Sequence, residues 1–233
     1  MEKDISQHID VTNINEKVYQ LIKQNIIKFI YPPGHNLNIN ELKDVLGVSP
    51  TPIKDALFRL AGEGLVVIYP RKGTYVKHVT DEDFHEIIQT RLILETAVVA
   101  SLAKQITDEQ LQILEGFYQT GISIKIDQDN SDDYRAFMES DSQFHLSFFF
   151  FFGNKRLTEI YKNLNAHMQI VRYRLMHHTR GKNPWTDQDH KDILTALQQH
   201  DAPGAEEAVR KHLIRLEAAC LAASSSGAKA SIP

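Results

Sequence analysis

Residues 41–76 contain an ordered series of helix and turn signals that few folds can accommodate. A run of helical spacing ends at Gly47, a residue suited to the left-handed conformation that often follows the last turn of a helix. Ser49 can cap a second helix, and short β-type runs at 65–69 and 74–77 come after it, separated by a turn that contains proline and glycine. The segment therefore predicts a helix, a tight turn, a second helix and a two-stranded wing.

The residues before this segment complete a small domain. An amphipathic pattern predicts a helix over 13–30, and the sequence Tyr-Pro-Pro-Gly at 31–34 ends it, because proline cannot continue a helix. Leu37 and Ile39 suggest a short strand, and Asn40 can cap the helix that follows. This order predicts a winged helix-turn-helix.

The rest of the chain is helical in pattern. Six amphipathic stretches are separated by polar, glycine or proline breaks, at about 80–104, 107–124, 131–152, 155–178, 185–200 and 203–222. We therefore predict a mainly α protein, with an N-terminal winged helix-turn-helix domain at 11–78 and an all-α bundle of about six helices at 80–222. A loose arm is expected at 1–10, and a disordered tail at 223–233.

Composition limits where such a chain can act. The polar N-terminus excludes a secretory signal, no apolar run is long enough to span a bilayer, and one cysteine fits a reducing cytoplasm. Residues 1–78 contain ten Lys and Arg against eight Asp and Glu, whereas the remainder contains 16 against 22. A slightly basic head on an acidic body permits DNA binding without proving it.

The helix-turn-helix pattern indicates which residues face DNA. The N-terminal part of the second helix enters the major groove, while the wing meets phosphates or the minor groove. Seven residues are predicted to contact DNA: Lys43, Ser49, Thr51, Lys54, Arg71, Lys72 and Gly73. Each charge taken alone is more typical of a small α/β cap with solvated side chains, but the ordered set favours DNA binding.

Residues 18–76 resemble the winged helix-turn-helix of the GntR family of bacterial transcription regulators. The resemblance rests on the motifs PPGHNLN, ELKDVLGVS, TPIKDALFRLAGEGLV and YPRKGTYV. It implies double-stranded operator DNA as the partner. Members of the family usually carry arginine where this chain has Asn40, Pro50 and Lys54, and those arginines are the usual DNA contacts.

Four residues of the body have the chemistry of a metal site. Asp141 and His145 are four residues apart and share a helix face, and His190 and His212 lie on two later helices with apolar neighbours at helical spacing. Three imidazoles and one carboxylate suit Zn²⁺, Ni²⁺ or another late first-row divalent ion. The alternative is that these histidines are ordinary, partly buried side chains, which is the commoner situation for any one of the 11 histidines.

The body also resembles a known domain, the metal-containing FCD-type ligand-binding domain of the FadR-like branch of the GntR family. The matching marks, within residues 84–214, are Arg91-x-x-x-Glu95, Asp141-x-x-Phe144-His145, Asn154, Asp189-His190 and the segment that ends at His212. The resemblance implies that Asp141, His145, His190 and His212 bind a divalent metal.

A metal in this position would anchor an anionic effector, most simply a small organic acid. Arg91 and Arg172 are the candidate effector-binding residues, since a guanidinium binds a carboxylate through two hydrogen bonds. Arg91 has an alternative role, an ion pair with Glu95 at i+4.

The leading hypothesis is therefore a cytoplasmic, homodimeric transcription regulator whose DNA affinity changes when a carboxylate binds at the metal. Repression is its expected mode of action. One alternative is a metal-dependent hydrolase, which would need a general base beside the metal. The chain has no His-Glu-x-x-His motif to supply that base, so Glu95 is the candidate. Another is a constitutive DNA-binding regulator with a purely structural metal. No membrane partner is expected.

The replaced arginines generate a first prediction. Lysine and asparagine favour different base contacts from arginine, so we expect an operator that differs from the site common in the GntR family, or weaker binding to that site. Selection from a pool of randomised DNA duplexes measures this preference. Recovery of the family's usual half-site would contradict the prediction.

Overall fold

The computed structural model describes the backbone of residues 11–126, 131–179 and 185–227, and the side chains of 14–126, 132–170 and 185–222. The chain divides into two compact units between His78 and Val79. The first unit, which we call the head, contains α1 (Val11–Ile27), α2 (Ile39–Leu46), α3 (Pro50–Gly62), β1 (Val66–Tyr69) and β2 (Gly73–Val76). The second unit, the body, contains α4 (Asp81–Ala103), α5 (Asp108–Ser123), α6 (Ser131–Phe152), α7 (Lys155–Thr179), α8 (Thr186–Gln198) and α9 (Ala202–Gly227).

This architecture confirms the predicted fold class. Within the described ranges, three helices and a hairpin form the head, and six helices form the body. None of the helices in that part of the chain combines the length and apolar character that crossing a bilayer requires.

The head folds around α3, which packs against both α1 and α2. Ile22 and Ile26 of α1 are buried together with Ile53 and Leu60 of α3. The tight turn depends on Gly47, whose φ of 63° is left-handed and whose N–H donates to the Lys43 carbonyl at 2.9 Å. Glycine adopts this conformation without the steric cost that a Cβ atom would bring.

Two details of the head differ from the prediction. Asn38 caps α2 in place of Asn40: the Asn38 side chain accepts the N–H of Asn40, and the helix already begins at Ile39. Asn is an equally good cap at either position, and the extended backbone of Asn38 fixes the earlier start. The expected strand at 37–39 is therefore absent, and Asn36 alone forms an isolated bridge with Tyr75.

The wing is an antiparallel hairpin in which Tyr69 pairs with Gly73 next to the turn. Arg71 has a φ of 64° and Gly73 a φ of 119°, so the turn uses left-handed backbone at two positions. The Tyr75 hydroxyl donates to the Lys72 carbonyl at 3.0 Å. These features hold Arg71 and Lys72 at an exposed tip.

The body begins with a capping box. The Thr80 hydroxyl accepts the N–H of Asp83 at 3.0 Å, and the Asp83 carboxylate accepts the N–H of Thr80 at 2.9 Å. Thr107 and Gln110 form the same arrangement at the start of α5. Ser49 differs, since it occupies the N-cap of α3 without a side-chain cap hydrogen bond.

The helices of the body enclose one apolar core, in which α4 and α8 pack against α9, and α6 packs against α5 and α7. Phe148 and Phe149 are fully buried in it, whereas Phe150 is 53% exposed. Helix α9 continues to Gly227, past residue 222 and into the segment expected to be disordered. Residues 228–233 and the expected N-terminal arm lie outside the described residues.

The capping box predicts a difference between two threonines of α4. Thr80→Ala removes the acceptor for the Asp83 N–H and should lower the free energy of unfolding of the body by about 1 kcal/mol. Thr90 is exposed inside the helix and donates only to the Glu86 carbonyl, so Thr90→Ala should change it by less than about 0.5 kcal/mol. Urea unfolding followed by the fluorescence of Trp185, the one tryptophan, measures both. Equal effects would show that the box contributes no stability.

Candidate metal centre

Three helices bring the four predicted ligands together inside the body. Asp141 and His145 come from α6, His190 from α8 and His212 from α9. Each offers one ligand atom, and these atoms all lie within 4.8 Å of one another. All four residues are at least 95% buried. The structure thus brings together the residues that the sequence singled out, although their binding of a metal stays a prediction.

The local fold explains this convergence. The i, i+4 spacing of Asp141 and His145 places both side chains on the face of α6 that points into the bundle. Nε2 of His190 lies 3.5 Å from Oδ1 of Asp141. Phe144 stacks on the His190 ring at 4.7 Å between centroids, and Trp185 meets the His212 ring edge-on at 6.1 Å. Aromatic rings therefore wall the cluster on two sides.

Buried nitrogen atoms without hydrogen bonds indicate that the cluster is built to bind something. Nε2 of His145 and both ring nitrogens of His212 have no hydrogen-bond partner among the described residues. An unsatisfied buried polar atom costs roughly 1–3 kcal/mol, so several in one place need an explanation. Burial also lowers the pKa of His212, which favours the neutral imidazole that a metal requires. The donor set fits a late first-row divalent ion.

Glu95 of α4 connects three of the side chains in this region through hydrogen bonds. It is fully buried and accepts hydrogen bonds from Nδ1 of His145 at 2.8 Å, Nε of Arg91 at 2.5 Å and the hydroxyl of Tyr161 at 2.9 Å. Burial is the largest influence and disfavours the charged carboxylate, but the Arg91 guanidinium and His145 together outweigh it and hold the pKa of Glu95 well below its ordinary value. Glu95 is therefore ionised at neutral pH.

Asp189 lies next to another of the predicted ligands, His212. Its Oδ1 accepts from Nη1 of Arg215 at 2.7 Å, and its Oδ2 lies 3.8 Å from Nδ1 of His212. Sequence reasoning noted Asp189 only as the neighbour of His190 and did not connect it to His212. It also missed Tyr161, which lies 66 residues from Glu95 and carries no local signal of the contact.

The structure describes the side chain of only one of the two predicted effector residues, Arg91. Arg91 is buried and forms the ion pair with Glu95 that we considered as its alternative role. This bond uses Nε, which leaves the two terminal amino groups of the guanidinium for a further acceptor. The side chain of Arg172, on α7, lies outside the described residues.

The seven predicted DNA contacts lie in three parts of the head, and all are exposed. Lys43 is on α2, with Nζ 3.6 Å from Asp44. The others lie at the start of α3 or at the wing tip: Ser49, Thr51, Lys54, Arg71, Lys72 and Gly73. This placement suits contact with a duplex, and the individual contacts stay predictions.

A winged helix-turn-helix joined to an all-α domain is the architecture of a two-domain DNA-binding regulator. The comparisons make the family explicit. Residues 14–76 match "Bacterial regulatory proteins, gntR family", and residues 86–215 match "FCD domain". The chain belongs to the GntR family of bacterial transcription regulators and carries an FCD domain.

Named relatives and solved structures agree with this assignment. The chain is 29% identical over 201 residues to the HTH-type transcriptional repressor RspR of Escherichia coli K12, covering 86% of each chain. It is 28% identical over 226 residues to the Uxu operon regulator of Haemophilus influenzae, covering 88% of this chain and 82% of that one. Its fold is similar to E. coli McbR/YncC, with a TM-score of 0.75 at 21% identity, over 89% of this chain and 97% of that one. It is also similar to the metal-free FCD domain of TM0439, with a TM-score of 0.51 at 21% identity, over 64% and 99% of the two chains.

The geometry predicts unequal roles for two Arg–Glu pairs with the same spacing. Arg91→Met would leave Glu95 charged and buried without its cation, so we expect the free energy of unfolding to fall by about 3–5 kcal/mol. Arg210 pairs with Glu206 on the surface, where both are more than 40% exposed, and Arg210→Met should cost less than about 1 kcal/mol. Urea unfolding with chelator present, followed by Trp185 fluorescence, compares them. Similar losses would contradict the central role of the buried pair.

Proposed function

We propose that this regulator binds a divalent metal through Asp141, His145, His190 and His212, and that a small carboxylate binding there changes its affinity for operator DNA. The observation that carries the proposal is the convergence of these four buried ligand atoms within 4.8 Å. The name of the TM0439 structure, which specifies a metal-free FCD domain, supports metal binding as a property of such domains.

Zinc is the metal that this donor set favours, with Ni²⁺ as the nearest competitor. Neutral imidazoles with one carboxylate suit both ions, and the site offers neither the thiolates typical of closed structural zinc sites nor the oxygen-rich shell that Mg²⁺ and Ca²⁺ prefer. A bound ion would supply a Lewis-acidic positive charge that attracts an anion.

The charges around the cluster favour an anionic ligand. Arg91 and Glu95 offset each other, and Arg215 faces Asp189, which leaves Asp141 as the single carboxylate among the four ligands. One carboxylate cannot neutralise a divalent ion, so an anionic effector completes the balance. The terminal amino groups of Arg91 provide a second attachment point with the geometry that carboxylates prefer.

The DNA half of the proposal rests on the exposed surface of the head. We propose that a homodimer presents Ser49, Thr51 and Lys54 of each chain to a palindromic operator, with the wings on the flanking backbone. The E. coli relative is named a repressor, which supports repression as the mode of action. The effector must bind one arrangement of the dimer more tightly than another, because only a difference in affinity shifts the equilibrium.

The hydrolase alternative needs a general base, and the structure argues against the candidate. Glu95 accepts hydrogen bonds from three side chains, and its pKa is held low, so it is a poor proton acceptor. The names of the relatives, which are transcription regulators, also favour a regulatory role. The constitutive alternative shares the metal and differs only in lacking a response to acids.

A thermal-shift matrix tests the proposal. Metal-stripped protein is titrated with Zn²⁺ and Ni²⁺, and each form is then screened with citrate, malonate, succinate and lactate. We expect the metal to raise Tm, and at least one acid to raise it further only in the loaded protein. His190→Gln should abolish both responses, whereas His85→Gln, which changes an exposed histidine of α4, should preserve them.

The active acid is then added to the protein on a duplex obtained by selection, and fluorescence anisotropy measures the change in Kd for DNA. Metal binding with no effect of any acid would favour the constitutive regulator. Conversion of an acid to product would favour the enzyme. No metal response in the wild type would overturn the proposal.

A further inference from the structure

Glu95 joins three helices of the body through one carboxylate. It lies on α4 and accepts from His145 of α6 and Tyr161 of α7, as well as from Arg91 one turn earlier on its own helix. Its two oxygens have different partners: Oε2 accepts from His145, whereas Oε1 accepts from both Arg91 and Tyr161. Rotation of the carboxylate would therefore disturb all three contacts at once.

The contact with His145 determines which ring nitrogen faces the cluster. Nδ1 of His145 lies 2.8 Å from Oε2 of a carboxylate that already accepts from Arg91 and Tyr161, so Nδ1 is the donor in this pair. The lone pair of the neutral ring then resides on Nε2, the atom that has no partner among the described residues. Glu95 thereby selects the tautomer that can bind a metal.

The contact with Arg91 has the same effect on a different group. A guanidinium is planar, so the bond from Nε to Glu95 fixes the plane and the direction of the terminal amino groups. Those groups are the ones that would receive the effector carboxylate. Glu95 is thus placed to orient the metal ligand and the acid-binding group together.

Asp189 offers an internal comparison. It faces His212 on one side, and on the other it meets Lys211 and Arg215, which are 39% and 45% exposed. No part of this arrangement includes Arg91. Asp189 therefore lies 3.8 Å from a predicted metal ligand and forms no contact with the acid-binding group among those described.

We propose that Glu95 is a positioning residue shared by the metal site and the effector site, whereas Asp189 positions the metal site alone. Only the part of this inference that concerns effector binding rests on the proposed function. Because one carboxylate serves both sites, its loss weakens metal binding and acid binding together, and the two ligands are thermodynamically linked through it.

The test compares Glu95→Gln with Asp189→Asn in the full chain. A glutamine has one accepting oxygen and an amino group that repels the Arg91 and His145 donors. We expect metal affinity to fall by roughly 10–100-fold in both variants, as measured by competition with a chelator. At saturating Co²⁺, citrate affinity should fall by at least about 10-fold in Glu95→Gln and change by less than about threefold in Asp189→Asn.

Two further variants control for stability. Leu102→Ala removes buried apolar atoms of α4 two turns beyond Glu95, so it should lower the stability of the body and leave both affinities within about threefold of the wild type. Glu95→Asp keeps the charge that Arg91 needs and covers the case in which Glu95→Gln does not fold; its shorter side chain should still weaken both ligands. The Co²⁺ absorption spectrum adds a readout that a loss of stability alone does not change, because it reports the number and arrangement of the ligands at the ion. We expect an altered spectrum in both Glu95 variants and the wild-type spectrum in Leu102→Ala.

The outcomes separate the inference from the proposed function. If Glu95→Gln and Glu95→Asp weaken neither ligand more than Leu102→Ala does, the inference is wrong while metal-dependent acid sensing stands. If Asp189→Asn weakens citrate as much as Glu95→Gln does, the shared role is wrong. If no acid binds the Co²⁺-loaded wild type, both the proposed function and the role of Glu95 in acid binding are wrong. The role of Glu95 in positioning His145 is then decided by the metal affinities and the spectra alone.

Discussion

The buried charge of Glu95 is the interaction on which the rest of the body depends. Moving a carboxylate out of water costs several kcal/mol even after the protein relaxes, and a paired cation offsets this only with good geometry and satisfied oxygen atoms. Arg91, His145 and Tyr161 meet that requirement from three helices. The relative positions of α4, α6 and α7 are therefore set by polar contacts that allow little sliding, in addition to the apolar core.

This constraint also organises the candidate metal centre. The Arg91–Glu95 pair is internal to α4 and needs only helical spacing to form. His145 then has a fixed acceptor for Nδ1, and its free nitrogen points toward the ligands of α8 and α9. The cluster is thus organised by protein contacts before any ligand enters, which reduces the entropy cost of binding.

The sequence predicted the parts of this site that depend on local spacing. Asp141 and His145 were visible because four residues make about one turn of a helix. The contact of Glu95 with His145 spans 50 residues, and no periodicity encodes it. The cap at Asn38 was missed for a different reason: two asparagines of equal propensity stood two residues apart, and only the tertiary structure selects between them.

The head shows a similar division between what holds the fold and what varies. Pro52, Ile53 and Leu60 are buried and preserve the packing of α3, whereas Pro50 and Lys54 are exposed. Exposed positions can change at little cost in stability, so a chain can keep the scaffold while its surface contacts change. Similarity of fold therefore leaves the DNA sequence that this head prefers undetermined.

Helix α4 is long enough to extend from the start of the body to the buried cluster. Its 23 residues form one unbroken rod whose capped end follows the head directly in the chain, and Glu95 lies beyond its middle. At a rise of about 1.5 Å per residue, Thr80 is roughly 22 Å from Glu95 along the helix axis. One continuous helix therefore links the buried carboxylate of Glu95 to the residues with which the body begins.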